Sequence, residues 1–202
     1  KYKEYLLFNT DDTKKQIGEN EKALCEIIRN DSIVDFIIHI NKTNIDISKT
    51  NIQASTYETN PFLSNKNKEI SLIEYAAFYG SIQIFNYLRS NHIELTPSIW
   101  LYAIHGNSPE MIQILEENKI FPKELKYFYF RLFKQASRCH HNNIANYILE
   151  TYFNNVTEDD LIQIYHYNHR YYNFIGISDY SIYLKNVKNI NFDLCKYDYF
   201  VF

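Results

Sequence analysis

The chain has 202 residues, 46% hydrophobic and 17% aromatic, enough to bury a sizeable core and characteristic of an ordered protein. A formal charge of −3 gives no general pull toward nucleic acid, and three cysteines, odd in number and in no CxxC pair, argue against a disulfide framework and for reduced thiols in a cytoplasmic setting. No apolar run reaches the roughly 18 residues of a membrane helix, so no membrane partner is expected, and 4 Gly with 4 Pro leave little room for flexible linkers or glycine-rich phosphate loops.

The chain opens KYKEYLLF without Met, which leaves an upstream segment, a removed signal peptide included, open. Residues 1–26 are expected to form an N-terminal helical cap. A first repeat follows over about 27–47, with IIRNDSIVDFIIHI at 27–40. Residues 52–58 suit a short helix and 64–69 a polar loop. Asn30, Asn41 and Asn155 match the glycosylation acceptor pattern, which a chain so rich in Asn produces by chance.

SLIEYAAFYGSIQIFNYLRSNHI (71–93) and SIWLYAIHGNSPEMIQILEENKI (98–120) align without a gap. Tyr75 meets Tyr102, Ala76 meets Ala103, Ser81 meets Ser108 and Leu88 meets Leu115. A further copy over about 126–150 brings Ala136 onto Ala103 and Ile144 onto Ile84. In the first copy Ser32 meets Ser81 and Phe36 meets Phe85, while Asp35 is a misfit at the position of Ile84. Each copy, at about 27–47, 71–95, 98–121 and 126–150, reads as two short helices with apolar residues at helical spacing. Neither helix is long enough to be stable alone, so neighbours must bury the faces. Thr157 with Glu158, Asp159 and Asp160 then signals an N-cap and a helix to about His169. The stretch 171–202, rich in Tyr and Phe without a clean period, is expected to form an irregular cap, so that 151–202 make a C-terminal helix and cap.

SLIEYAAFYGSIQIFNYL resembles the ankyrin repeat. Ser71 stands at the position of its Thr, Ile73 at its first Leu, Ala76 and Ala77 at its paired Ala, Gly80 at its Gly, Ile84 and Phe85 at its paired Val, and Tyr87 with Leu88 at its Leu pair. More closely, IEYAAFYGSIQIF, LYAIHGNSPEMI and CHHNNIANYI together are similar to a divergent ankyrin-type domain of unknown function abundant in protist genomes, such as those of trichomonads. The likeness covers roughly 20–150 and is strongest over 71–120. The braced Thr-Pro-Leu-His tetrapeptide reads Ser-Leu-Ile-Glu (71–74) and Ser-Ile-Trp-Leu (98–101). The Gly-Ala-Asp turn reads His-Ile-Glu (92–94) and Lys-Ile-Phe (119–121). The resemblance therefore implies an all-α, ankyrin-like helix-turn-helix repeat solenoid with short loops in place of long hairpins.

Cys139, His140 and His141 invite a metal or thiol site. In the repeat register, however, His140 shares its place with Asp31, Gly80 and Asn107. A corner between helices needs a left-handed residue there, and Gly, Asn, Asp and His are the types that adopt it. His140 is thus predicted at positive φ, with His141 at the His that follows the ankyrin Gly. A zinc site would need a second cluster, which the sequence lacks, so no metal and no cofactor are expected. No phosphate-loop, dinucleotide or HExxH motif occurs. His166 and His169 read as a helix face.

The resemblance implies a noncatalytic protein-interaction scaffold whose concave face binds an unidentified protein partner. The variable first-helix positions that would line that face are Tyr75, Phe78, Tyr79, Tyr102, His105 and Arg138, and Tyr and Arg dominate interface hot spots. An alternative is a nucleic-acid-binding module using the basic, aromatic-interleaved helix 123–138, with Lys123, Lys126, Arg131, Lys134 and Arg138. A third is a thiol-dependent enzyme through Cys139, set at an outward-facing position.

Overall fold

The structure, a computed structural model, describes residues 18–64, 69–153 and 156–177. These residues are all-α as expected, with no strand among them and one isolated bridge between Asn51 and Ser71. The helices are α1 (Ala23–Arg29), α2 (Ile33–Thr43), α3 (Leu72–Tyr79), α4 (Ile82–Ser90), α5 (Ile99–His105), α6 (Pro109–Glu117), α7 (Leu125–Arg138), α8 (Asn142–Tyr152) and α9 (Glu158–Arg170). Two compact units divide the chain, Lys1–Phe121 and Pro122–Phe202. In the first, α3 packs on α1, α4 and α5, α2 packs on α1 and α4, and α6 packs on α5. In the second, α7 packs on α8 and α9.

One corner recurs within the helix pairs. Asp31, Gly80, Asn107 and His140 all have left-handed backbones, with φ of 48°, 65°, 54° and 59°. The next residue then donates its N–H to the carbonyl five positions back: Ser32 to Ile27, Ser81 to Ala76, Ser108 to Ala103 and His141 to Ala136. The corner thereby satisfies carbonyls at the end of the first helix, where no intrahelical donor remains. The same residue begins the second helix, its own carbonyl accepting from Phe36, Phe85, Ile112 or Ala145. His92 and Lys119, at the Gly of the ankyrin turn, are left-handed as well, with φ of 63° and 54°.

Packing follows the small residues. Ala76, Ala77, Ala103 and Ala136 are fully buried, as are Phe36, Ile84, Phe85, Leu88, Trp100 and Leu115. A Cβ on Gly106 would lie 1.7 Å from the backbone oxygen of Phe78, so glycine there permits the close approach of α5 to α3. Ser71 and Glu74 form the capping box that starts α3. The second oxygen of Glu74 accepts from the hydroxyl of Ser98 at 2.7 Å, joining the starts of α3 and α5. Asp35, the misfit of the first copy, is exposed and accepts from the Ser32 hydroxyl.

Several expectations change. The first helix of the first pair begins at Ala23, inside the expected N-terminal cap, because α1 is the partner α2 needs to bury Phe36. Residues 52–58 form no helix. They run as a strap whose Ile52 N–H donates to Ile70 at 2.7 Å and whose Gln53 carbonyl accepts from the Asn20 side chain at 2.8 Å. The units part at Phe121–Pro122, inside the expected repeat region. The stretch from Tyr171 begins with a fifth corner: Tyr172 has φ 54°, Asn173 donates its N–H to Asn168, and Ile177 donates to Asn173. The expected cap over 1–26, the polar loop at 64–69 and the C-terminal cap fall largely on residues 1–17, 65–68 and 178–202, outside the described residues.

Candidate functional site

The predicted groove residues divide by burial. Tyr75 is 1% exposed, Tyr102 fully buried and Phe78 8% exposed, so these three belong to the core and line no open face. Tyr79 and His105 are half-buried, and Arg138, in the second unit, is exposed.

The reason is the strap. Phe62, four residues beyond it in the chain, lies edge-on to Tyr102 at 4.9 Å between ring centroids and stacks on His105 at 4.6 Å and on Phe78 at 6.2 Å. Phe78 of α3 and Tyr102 and His105 of α5 therefore come together around a side chain of the same molecule. Aromatic contacts of this kind add to the area they bury. No repeat alignment could place Phe62 there, because the strap lies between copies.

A polar cluster sits beside these rings. The Arg29 guanidinium donates to the Asn20 carbonyl at 2.7 Å and to the Tyr75 hydroxyl at 3.1 Å. It pairs with Glu19 at 3.0 Å and lies 5.9 Å from the Tyr79 ring centroid. Burial drives the Tyr75 phenol far above its usual range and the Tyr79 phenol up to about 12. Glu58, 8% exposed, is held by backbone N–H groups of Asn60 and Asn20, yet burial still raises its carboxyl. Sequence reasoning missed Glu58 and Arg29. A lone acid in an inter-repeat segment carries no periodic signal of its depth.

Cys139 ends α7 and is partly buried, its sulfur accepting from the Gln135 side chain at 3.4 Å. Burial raises this thiol, the direction opposite to that of an activated nucleophile. Among the described residues no group of three His, Cys, Asp or Glu side chains converges as metal ligands would. On the basic helix, Lys126 pairs with buried Asp160 at 3.1 Å and Lys134 lies 5.3 Å from the Tyr167 ring centroid. Lys123, Arg131 and Arg138 are exposed. His169 stacks on Tyr165 with ring centroids 6.1 Å apart. No described helix is long and apolar enough to cross a membrane. No family model matches the chain, and neither the curated proteins nor the solved structures contain a significant match.

Proposed function

We propose that the chain is a noncatalytic protein-interaction scaffold built from ankyrin-like helix pairs. The observation that carries the reading is the left-handed corner at Asp31, Gly80, Asn107 and His140, with the same hydrogen bond across each. Such stacks present extended surfaces assembled from successive units, a geometry suited to holding a partner. The strap modifies the expected mode of binding. A partner meets Tyr79, His105 and the outer side of residues 51–64, because the rings beneath are already covered. The raised Cys139 thiol weighs against the enzymatic alternative, and the commitment of Lys126 to Asp160 weighs against the nucleic-acid one.

The test is affinity capture from the source cell with the full chain and with the variant H105A. A partner retained by the chain and lost by the variant, with the two melting within a few degrees of each other, supports the reading. Equal recovery by both, or steeply salt-dependent retention on a polyanion resin in place of a protein partner, overturns it.

A further inference from the structure

Along the contact between α7 and α9, Lys126 meets Asp160 and Lys134 meets Tyr167. The two helices therefore run in the same direction, and their N-terminal ends lie side by side. Between those ends is an open groove of about 830 Å³. Its apolar side chains come from α7. Phe130 is 8% exposed and is met edge-on by Phe153, with ring centroids 4.7 Å apart. Leu125 and Tyr127 line the same groove and are 44% and 69% exposed. Exposed apolar side chains gathered in one place, unlike those scattered singly, mark a surface on which another molecule packs.

The rim is acidic. Glu124, the residue before α7, and Asp159, in the first turn of α9, line the groove and are exposed to solvent. Glu158, also exposed, precedes Asp159. Lys126 lines the groove as well, but its ammonium is held by Asp160 at 3.1 Å, and that pair cancels. Counting exposed Lys123 against the three remaining carboxylates leaves this end of the helices net negative.

We propose that the groove docks a basic, apolar segment of another protein, an aliphatic or aromatic side chain seated against Tyr127 and Phe130 and a neighbouring lysine or arginine reaching Glu124 and Asp159. Charge complementarity selects this occupant. A phosphate backbone would meet the carboxylates, and a second copy of this chain would bring the same acidic rim. The proposal goes beyond the scaffold reading and does not rest on it. Its residues all lie in the second unit, whereas that reading is tested at His105 in the first.

The experiment titrates the full chain, followed by NMR, with the blocked peptides Lys-Leu-Phe-Lys, Glu-Leu-Phe-Glu and Lys-Ser-Ser-Lys. Saturable shifts at Leu125, Tyr127 and Phe130 are expected with the first peptide, weakening as salt is added, and much weaker binding with the other two. Glu124→Gln combined with Asp159→Asn leaves the Lys126–Asp160 pair in place and is expected to weaken binding about threefold to tenfold, the range for two exposed ion pairs. Should that variant fail to fold, the contrast among the three peptides on the unaltered chain decides. Equal binding of the acidic or the serine peptide, shifts confined to other surfaces, or no saturation at millimolar peptide overturns the proposal. So does an oligouridylate that shifts the same three residues, which assigns the groove to nucleic acid, and so do shifts there that depend on protein concentration without peptide, which assign it to a second copy. None of these results depends on whether a protein partner is captured through His105.

Discussion

The hydroxyl of Ser81, at the start of α4, donates to the carbonyl of Ile28 in α1 at 2.6 Å, across 53 residues of sequence. Asn173 makes the corresponding bond to Ser137 at 3.2 Å. In both cases the acceptor lies three residues before the left-handed corner of the preceding pair. Asp31 returns the contact by accepting from the N–H groups of Gln83 and Ile84, both at 3.0 Å, which caps α4 from outside its own pair. Neighbouring pairs are thus fastened at their corners as well as by their apolar faces. Ser81→Ala removes one of the two donors to the Ile28 carbonyl, the other being the Asp31 N–H at 2.9 Å, and Asp31→Ala removes the cap. Each is expected to lower stability by about 1–2 kcal/mol in urea denaturation, and the double variant should fall short of additivity, since both act at one junction.

His140 and Gly80 hold the same conformation at different cost. A left-handed residue other than glycine is disfavoured by roughly 1–2 kcal/mol, and the greater freedom of unfolded glycine cancels part of the relief. His140→Gly should therefore leave stability unchanged or raise it by about 1 kcal/mol. Gly80→Ala should lower it by a similar amount, with the added Cβ 3.3 Å from the Ser108 hydroxyl. Paired thermal melts measure both, and a marked loss in His140→Gly would show that the imidazole has another task.

For Tyr75 and Tyr102 the expectation from burial is severe. Truncating either to Ala removes a core ring and should cost about 3–5 kcal/mol, whereas Arg138→Ala, at an exposed position, should stay within about 0.5 kcal/mol. Denaturant midpoints of the three variants check this ranking.

How far the sequence was legible follows from these same residues. The corners at Asp31, Gly80, Asn107 and His140 were readable because a left-handed backbone admits few residue types, and those types aligned. The start of α9 was readable from Thr157 and the acids after it. The depth of Tyr75 and Tyr102 was hidden. The alignment gave their place on a helix but not the inter-repeat segment, whose Phe62 packs on Tyr102. Tyr172 concealed the fifth corner, since tyrosine is not a residue the left-handed region advertises.

Cys25 and Cys139 are predicted to be sluggish thiols. Burial pushes Cys25 up to about 11 and moves Cys139 in the same direction. In a Cys195→Ser background near neutral pH, Cys25 should label only as the protein unfolds, and Cys139 more slowly than a free thiol. The raised folded value of Cys25 also means that its contribution is full below pH 9.0 and is lost as pH rises toward about 11. Rapid labelling of Cys139 at neutral pH would revive a catalytic role.

Asp160 carries the acid limb. Burial alone would raise its carboxyl, but the Thr157 N–H and hydroxyl, together with Lys126, hold it below its ordinary 3.8. A lowered value contributes stability above that pH, and the contribution disappears as pH falls through the folded value. Asp160→Asn should cost about 1–2 kcal/mol near neutrality and flatten the decline below about pH 4, as measured by urea midpoints across the acid range.

Five chemically unlike side chains, those of Asp31, Gly80, Asn107, His140 and Tyr172, occupy one backbone conformation, and the bonds across these corners run from main chain to main chain. What these positions share is therefore shape and not letters. A corner held by main-chain bonds leaves its side chain open to change, so that helix pairs of one shape need share little sequence beyond their spacing.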